Sequence, residues 1–228
     1  IWIGYAVTSV FGMNNITLKG IIFLFSLASL WLIIKIGNNV YSPRAGIMAA
    51  VIFCSNLIFN IFAKRFQFDI PYTFLILLSF WFFLKFLDTG ESKYNYYSGI
   101  VFGLCLMIKI LVGFFIPMAI FLWFILSKDK TKYSIKHLVT LTAIGVAIAA
   151  PWHAYMFLKY GWEFFNYFFF YHIYERALLG VEHNTKGSGY VYYINYLFTI
   201  LPFGAVILFG AYRKLISFRK LPGKELFV

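Results

Sequence analysis

Residues 103–117 read GLCLMIKILVGFFIP. One charged residue, Lys109, interrupts an apolar run, and the way the chain passes it sets the direction of every later segment. Read as a single helix, residues 96–126 would be about 45 Å long and would hold an unpaired ammonium near the middle of a hydrocarbon layer about 30 Å thick. Read as a reversal, Lys109 comes to the water boundary, and the arm before it is only about 13 residues, short for a full span. Helix length and the cost of a buried charge favour the reversal; the short arm speaks against it.

The surrounding sequence is of the same kind. The 228 residues are 62% hydrophobic, with 29 Phe and 17 Tyr, and the mean hydropathy is +0.80. This excludes an ordinary soluble domain and points to an all-α, polytopic transmembrane helical bundle. Apolar segments fall at about 1–10, 17–36, 45–62, 70–87, 96–108, 110–126, 135–151 and 190–212, most of them joined by short polar connections. The net charge of +12 is spread over those connections, as in membrane proteins whose Lys and Arg face anionic lipid, so membrane lipids are expected partners and nucleic acid is not. Cys54 and Cys105 lie inside apolar runs with no metal-type spacing and read as small hydrophobes. Asn15-Ile16-Thr17 fits the N-glycosylation pattern, a single match of little weight. The chain does not begin with Met and shows no signal peptide, so residues 1–228 are expected to be a transmembrane piece of a longer protein.

Topology follows from the basic residues. With the reversal at Lys109, thirteen of the twenty Lys and Arg fall on one side, and Lys19, Lys64, Arg65, Lys109, Lys159, Arg176 and Lys186 on the other. The positive-inside rule makes the thirteen cytoplasmic. A single helix through Lys109 gives twelve against seven, so charge alone does not choose. The reversal puts Asp69, in KRFQFDIPYTFL (64–75), on the same external face as the long stretch 152–189.

An acid beside Ile70-Pro71 is an ordinary helix-start signal, yet a carboxylate at a membrane edge is also costly unless solvated, paired or used. The 152–189 loop holds His153, His172, Glu175, Arg176, Glu182 and His183. From Trp162 to Leu179 its aromatic density and scattered charge suit a helix lying in the membrane interface. His153, beside Pro151-Trp152, reads as an interface anchor. A Lys and an Arg meeting on one external surface could neutralise a phosphate, the Arg as a planar fork and the Lys as a point charge.

In order along the chain, AKRFQFDIPYTF (63–74), GLCLMIKILVGFFIP, APWHAY (150–155) and YHIYERALLGVEH (171–183) followed by YVYYI (190–194) resemble the polytopic transferases of glycosyltransferase family 39 that use polyprenyl-phosphate sugars. These are the protein O-mannosyltransferases and the lipid A aminoarabinose transferase. The resemblance implies a GT-C-like helical bundle with an external interfacial loop. It carries the family's external Asp onto Asp69, its phosphate-binding Lys onto Lys109 and its loop Arg onto Arg176, with His172 four residues before it. It also brings Glu182, His183, Tyr192 and Tyr193 to the donor site. The family's main catalytic carboxylate would lie in an external loop upstream of Ile1, leaving Asp69 a supporting role and residues 1–228 inactive alone.

The reading that follows is an integral, multi-pass membrane glycosyltransferase of a bacterial or archaeal plasma membrane. It would move a sugar from a polyprenyl-phosphate donor to a protein, lipid or glycan acceptor at the non-cytoplasmic face. No cofactor follows from the residues, and a divalent metal is left open. The alternatives are a lipid-linked sugar transporter or flippase, in which charges line a path across the bilayer, and a non-catalytic membrane subunit.

Overall fold

A computed structural model describes residues 2–127, 133–167 and 170 of the chain. Among them the regular structure is helical, with no strand. In order the helices are α1 (Trp2–Phe11), α2 (Asn15–Val40), α3 (Pro43–Ser55), α4 (Leu57–Ala63), α5 (Asp69–Thr89), α6 (Ser92–Ile108), α7 (Ile110–Gly113), α8 (Phe115–Leu126) and α9 (Ile135–Phe165). Three of them, α2, α5 and α9, are long and apolar enough to cross a membrane, and the bent pair α3–α4 makes a fourth candidate. The protein is an all-α polytopic membrane bundle. Two compact units divide between Ile148 and Ala149.

The ends of the helices are written in polar residues. Asn14 caps α2, its side chain accepting the N–H of Thr17 at 2.8 Å. Ser42 caps α3 just before Pro43, where the missing N–H costs nothing. Gly90 closes α5 in the left-handed region, φ 72°, and its N–H donates to the carbonyl of Phe86 at 2.8 Å.

Directions within the first unit follow from pairs of residues that meet. Phe25 packs on Phe74 with ring centroids 5.4 Å apart, Trp31 on Trp81 at 6.3 Å, and the Asn39 amide donates to Asp88 at 2.6 Å. Helices α2 and α5 therefore run the same way. Between them in sequence, α3 and α4 return, Gly37 meeting Gly46 at one end and Ile22, Phe59 and Ile70 forming a buried cluster at the other. Helix α6 runs back along α5, tied to it by a buried reciprocal pair: the Ser79 hydroxyl donates to the Ser98 carbonyl at 3.1 Å and the Ser98 hydroxyl to that of Ser79 at 2.9 Å. The start of α9 follows α6, with the Asn95 amide on the His137 carbonyl at 2.9 Å. A Cβ on Gly103 would come within 2.9 Å of the Gly145 carbonyl, so the two backbones touch where Gly99 and Gly103 replace side chains.

Two elements differ from the sequence expectation. The segment expected as one run at 45–62 is broken at Asn56 by a 70° bend between α3 and α4. Freed backbone groups in a span must find partners, and here the Asn56 side chain accepts the N–H groups of Ile58 and Phe59 at 2.9 and 3.2 Å. The Asn60 amide donates to the carbonyls of Cys54 and Asn56 at 2.6 and 2.9 Å. In the second case, α9 passes Pro151 and continues over the expected loop start at 152 as far as Phe165. Gly161, at φ 55° and ψ −137°, is the non-helical break before its last turn.

Candidate functional site

Helix α6 ends and α7 begins at Lys109, which is extended, with φ −146° and ψ 98°. Its N–H still donates to the Cys105 carbonyl and its carbonyl accepts the Gly113 N–H, both at 2.9 Å, so one residue closes one helix and starts the next. After it the chain folds back: Gly113 comes against Leu106, Phe114 packs on Phe102 at 5.6 Å and Trp123 on Phe83 at 5.2 Å. The reversal sets the ammonium at an end of the bundle, where α6 stops, instead of along a continuous helix.

Asp69 occupies the same end because it opens α5, which is antiparallel to α6. An acid in the first helical turn sits at the positive end of the helix dipole. Its Oδ1 accepts from the Lys109 Nζ at 2.8 Å, across forty residues of sequence. The two side chains are 38% and 43% exposed, a position open to water and to a ligand. One turn on, the Thr73 hydroxyl donates to the Asp69 carbonyl at 2.8 Å, which steadies the backbone that carries the acid.

Tyr72 is a further candidate that the sequence did not single out. It stands three residues after Asp69 on the same side of α5, is 5% exposed, and its hydroxyl finds no hydrogen-bond partner among the described residues. The sequence signal for it was only the i, i+3 spacing from the acid.

Of the residues expected at the site, the fold brings Asp69 and Lys109 into contact. His172, Arg176, Glu182, His183 and Tyr193 lie outside the described residues, as do Glu175 and Tyr192. His153 lies in the second unit, on α9, where its Nδ1 is 2.7 Å from the Ala149 carbonyl and its ring stands edge-on to Trp152 at 4.8 Å. Among the described residues no three His, Cys, Asp or Glu side chains gather as a metal site would require.

The Lys109–Asp69 pair has a net charge near zero, yet the ammonium keeps two more N–H donors than the single bond to Asp69 uses. Chemically, such a pair can offer hydrogen-bond donors to an anion and is not a nucleophile. No curated protein and no solved structure gives a significant match to the chain. The family model described as dolichyl-phosphate-mannose-protein mannosyltransferase matches residues 1–155, which include both members of the pair and more than half of the sequence. The chain belongs to that family and is an integral membrane glycosyltransferase of the mannosyltransferase type.

Proposed function

We propose that the full protein transfers a sugar from a polyprenyl-phosphate donor to an acceptor hydroxyl, at the end of the bundle where Asp69 meets Lys109, and that this end is non-cytoplasmic. The observation that carries the reading is the 2.8 Å contact between Lys109 and Asp69 at a bundle end. As the bond between the anomeric carbon and the phosphate oxygen breaks, negative charge grows on the departing polyprenyl phosphate. A fixed cation there lowers the barrier most where water is thin. Attack by the acceptor oxygen forms the new glycosidic bond, and its proton passes to a base that this reading places upstream of Ile1.

Because Asp69 already balances Lys109, a second cation is needed to hold the phosphate firmly, and Arg176 is the residue the resemblance offers. Glu182, His183, His172 and Tyr193 would line the donor beside it. The distribution of charge supports the sidedness: Lys35, Arg44, Lys85, Lys93 and Lys136 stand at the opposite end. Within the first unit the ionised side chains keep to the helix ends, which favours a surface site over a charged path through the bilayer.

The test is transfer by the full-length protein in proteoliposomes, with radiolabelled polyprenyl-phosphate mannose offered to a peptide mixture and a nucleotide sugar as control. Transfer from the lipid donor alone supports the reading. Use of the nucleotide sugar, or transport of the donor without a new glycosidic bond, overturns it.

A further inference from the structure

Away from Asp69 and Lys109, two identical spacings lie side by side. Trp31 and Lys35 are four residues apart on α2, and Trp81 and Lys85 four apart on α5. Since the helices run in the same direction, the two pairs come to one level, with the Trp rings 6.3 Å apart. Lys35 Nζ stands 5.6 Å from the centre of the Trp31 ring and Lys85 Nζ 5.8 Å from that of Trp81. Neither ammonium has a carboxylate within ion-pair distance among the described residues. Asp88, the nearest acid in sequence, is bound to the Asn39 amide at 2.6 Å, a contact that also fixes the two helix ends to each other. Half of the Trp31 surface is exposed.

The depth is that of a lipid headgroup. Lys35 lies five residues before the end of α2 and Lys85 four before the end of α5, or about 6–8 Å inside the spans, where Trp rings sit in the interface and Lys stems reach toward phosphates. A single Trp–Lys pair there is an ordinary anchor. Two pairs in register, on helices tied together just beyond them and lacking a counter-charge, form a two-point cation clamp over an aromatic surface. We propose that this clamp binds an anionic phospholipid, its headgroup phosphate bridging Lys35 and Lys85 and an acyl chain lying along Trp31 and Trp81. The rings select a lipid over a free phosphate, and the further positive charge of Arg44 and Lys136 at this end raises the local concentration of anionic lipid.

The test uses the full-length protein purified with zwitterionic lipid and titrated with phosphatidylglycerol, with bound lipid counted by native mass spectrometry. The unmodified protein should retain phosphatidylglycerol in preference to phosphatidylcholine. Lys35→Gln/Lys85→Gln should weaken that binding on the order of 10- to 30-fold, each Lys contributing about equally, and Lys35→Arg/Lys85→Arg should keep it within about threefold. Should the double Gln variant fail to fold, each single variant is expected to lose about fivefold. Equal retention of phosphatidylcholine, unchanged binding in the Gln variants, or displacement of the lipid by millimolar inorganic phosphate would each overturn the proposal.

Discussion

Replacing Lys109 by Met in the full-length protein distinguishes a phosphate ligand from a membrane anchor, because the structure fixes how little the Asp69 contact itself is worth. The pair is 2.8 Å apart with side chains 43% and 38% exposed, and a partly solvated ion pair of this kind contributes about 0.2–1 kcal/mol. A hydrogen bond from the ammonium to a phosphate is worth about 1.5–3 kcal/mol. If the spare N–H donors of Lys109 hold the donor phosphate, that contact outweighs the one to Asp69, and Lys109→Met should cost about 10- to 100-fold in transfer, expressed mainly in the donor KM. The fold loses at most about 1 kcal/mol, a shift of about 2–4 °C in a chain of this length. Asp69→Asn keeps the shape and removes the competing charge, so the donor KM should stay level or fall even if kcat drops. Opposite signs on KM, read from transfer in proteoliposomes alongside melting curves, are the signature. Unmodified kinetics in Lys109→Met would refute the phosphate role. So would equal losses of more than about 10 °C in both variants with activity tracking the melting, since the pair would then be a structural clamp.

Tyr72→Phe removes a buried hydroxyl that has no partner within the described residues; melting should be unchanged or higher, and a fall in transfer at unchanged melting would assign the hydroxyl to the donor. Ser79→Ala strands the groups of Ser98 in the α5–α6 core and should cost about 1–3 kcal/mol by melting, while the double Ala variant should lose less than the two singles summed. Gly103→Ala drives a methyl against the Gly145 carbonyl and Ile148, and about 1–3 kcal/mol of destabilisation is expected. For sidedness, cysteines at Gln67 and Asn184 in a Cys54→Ser background should both react with an impermeant thiol reagent on intact cells, and one at Glu91 should not; the reverse pattern would invert the proposed topology.

The helical bundle was legible because hydrophobic runs of bilayer length are a strong signal, whereas the turn at Lys109 was one of two open readings, favoured by the cost of a lone cation inside such a run and opposed by the short arm before it. Only the reversal put Asp69 on the same face as Lys109, and the 2.8 Å contact between them is what joins the two. What escaped was decided by contacts between segments distant in sequence. Nothing local in VIFCSNLIFNIF announces a 70° bend, because an Asn in an apolar run reads equally as a tolerated polar residue. Only the carbonyls and N–H groups it serves disclose its use. The extension of α9 beyond 152 was missed because Pro151 and the aromatic, charged sequence after it look like an ending, whereas the non-helical residue is Gly161. The Trp–Lys spacings on α2 and α5 carried no sequence signal of their own and became a pair only because the two helices run parallel.

The bend at Asn56 bears on how the protein is made. A straight apolar helix can leave the translocation machinery into lipid by itself, but α3–α4 carries two asparagines near its midpoint, and its two halves diverge by 70°. Its apolar surface is completed by others: Phe59 is buried against Ile22 of α2 and Ile70 of α5, with Phe25 beside them. Helix α2 is available as α3–α4 emerges, whereas α5 has yet to be synthesised. The second span must therefore wait at the machinery, or insert provisionally, until the third, α5, arrives, so that the first half of the unit enters the bilayer as one assembly rather than helix by helix.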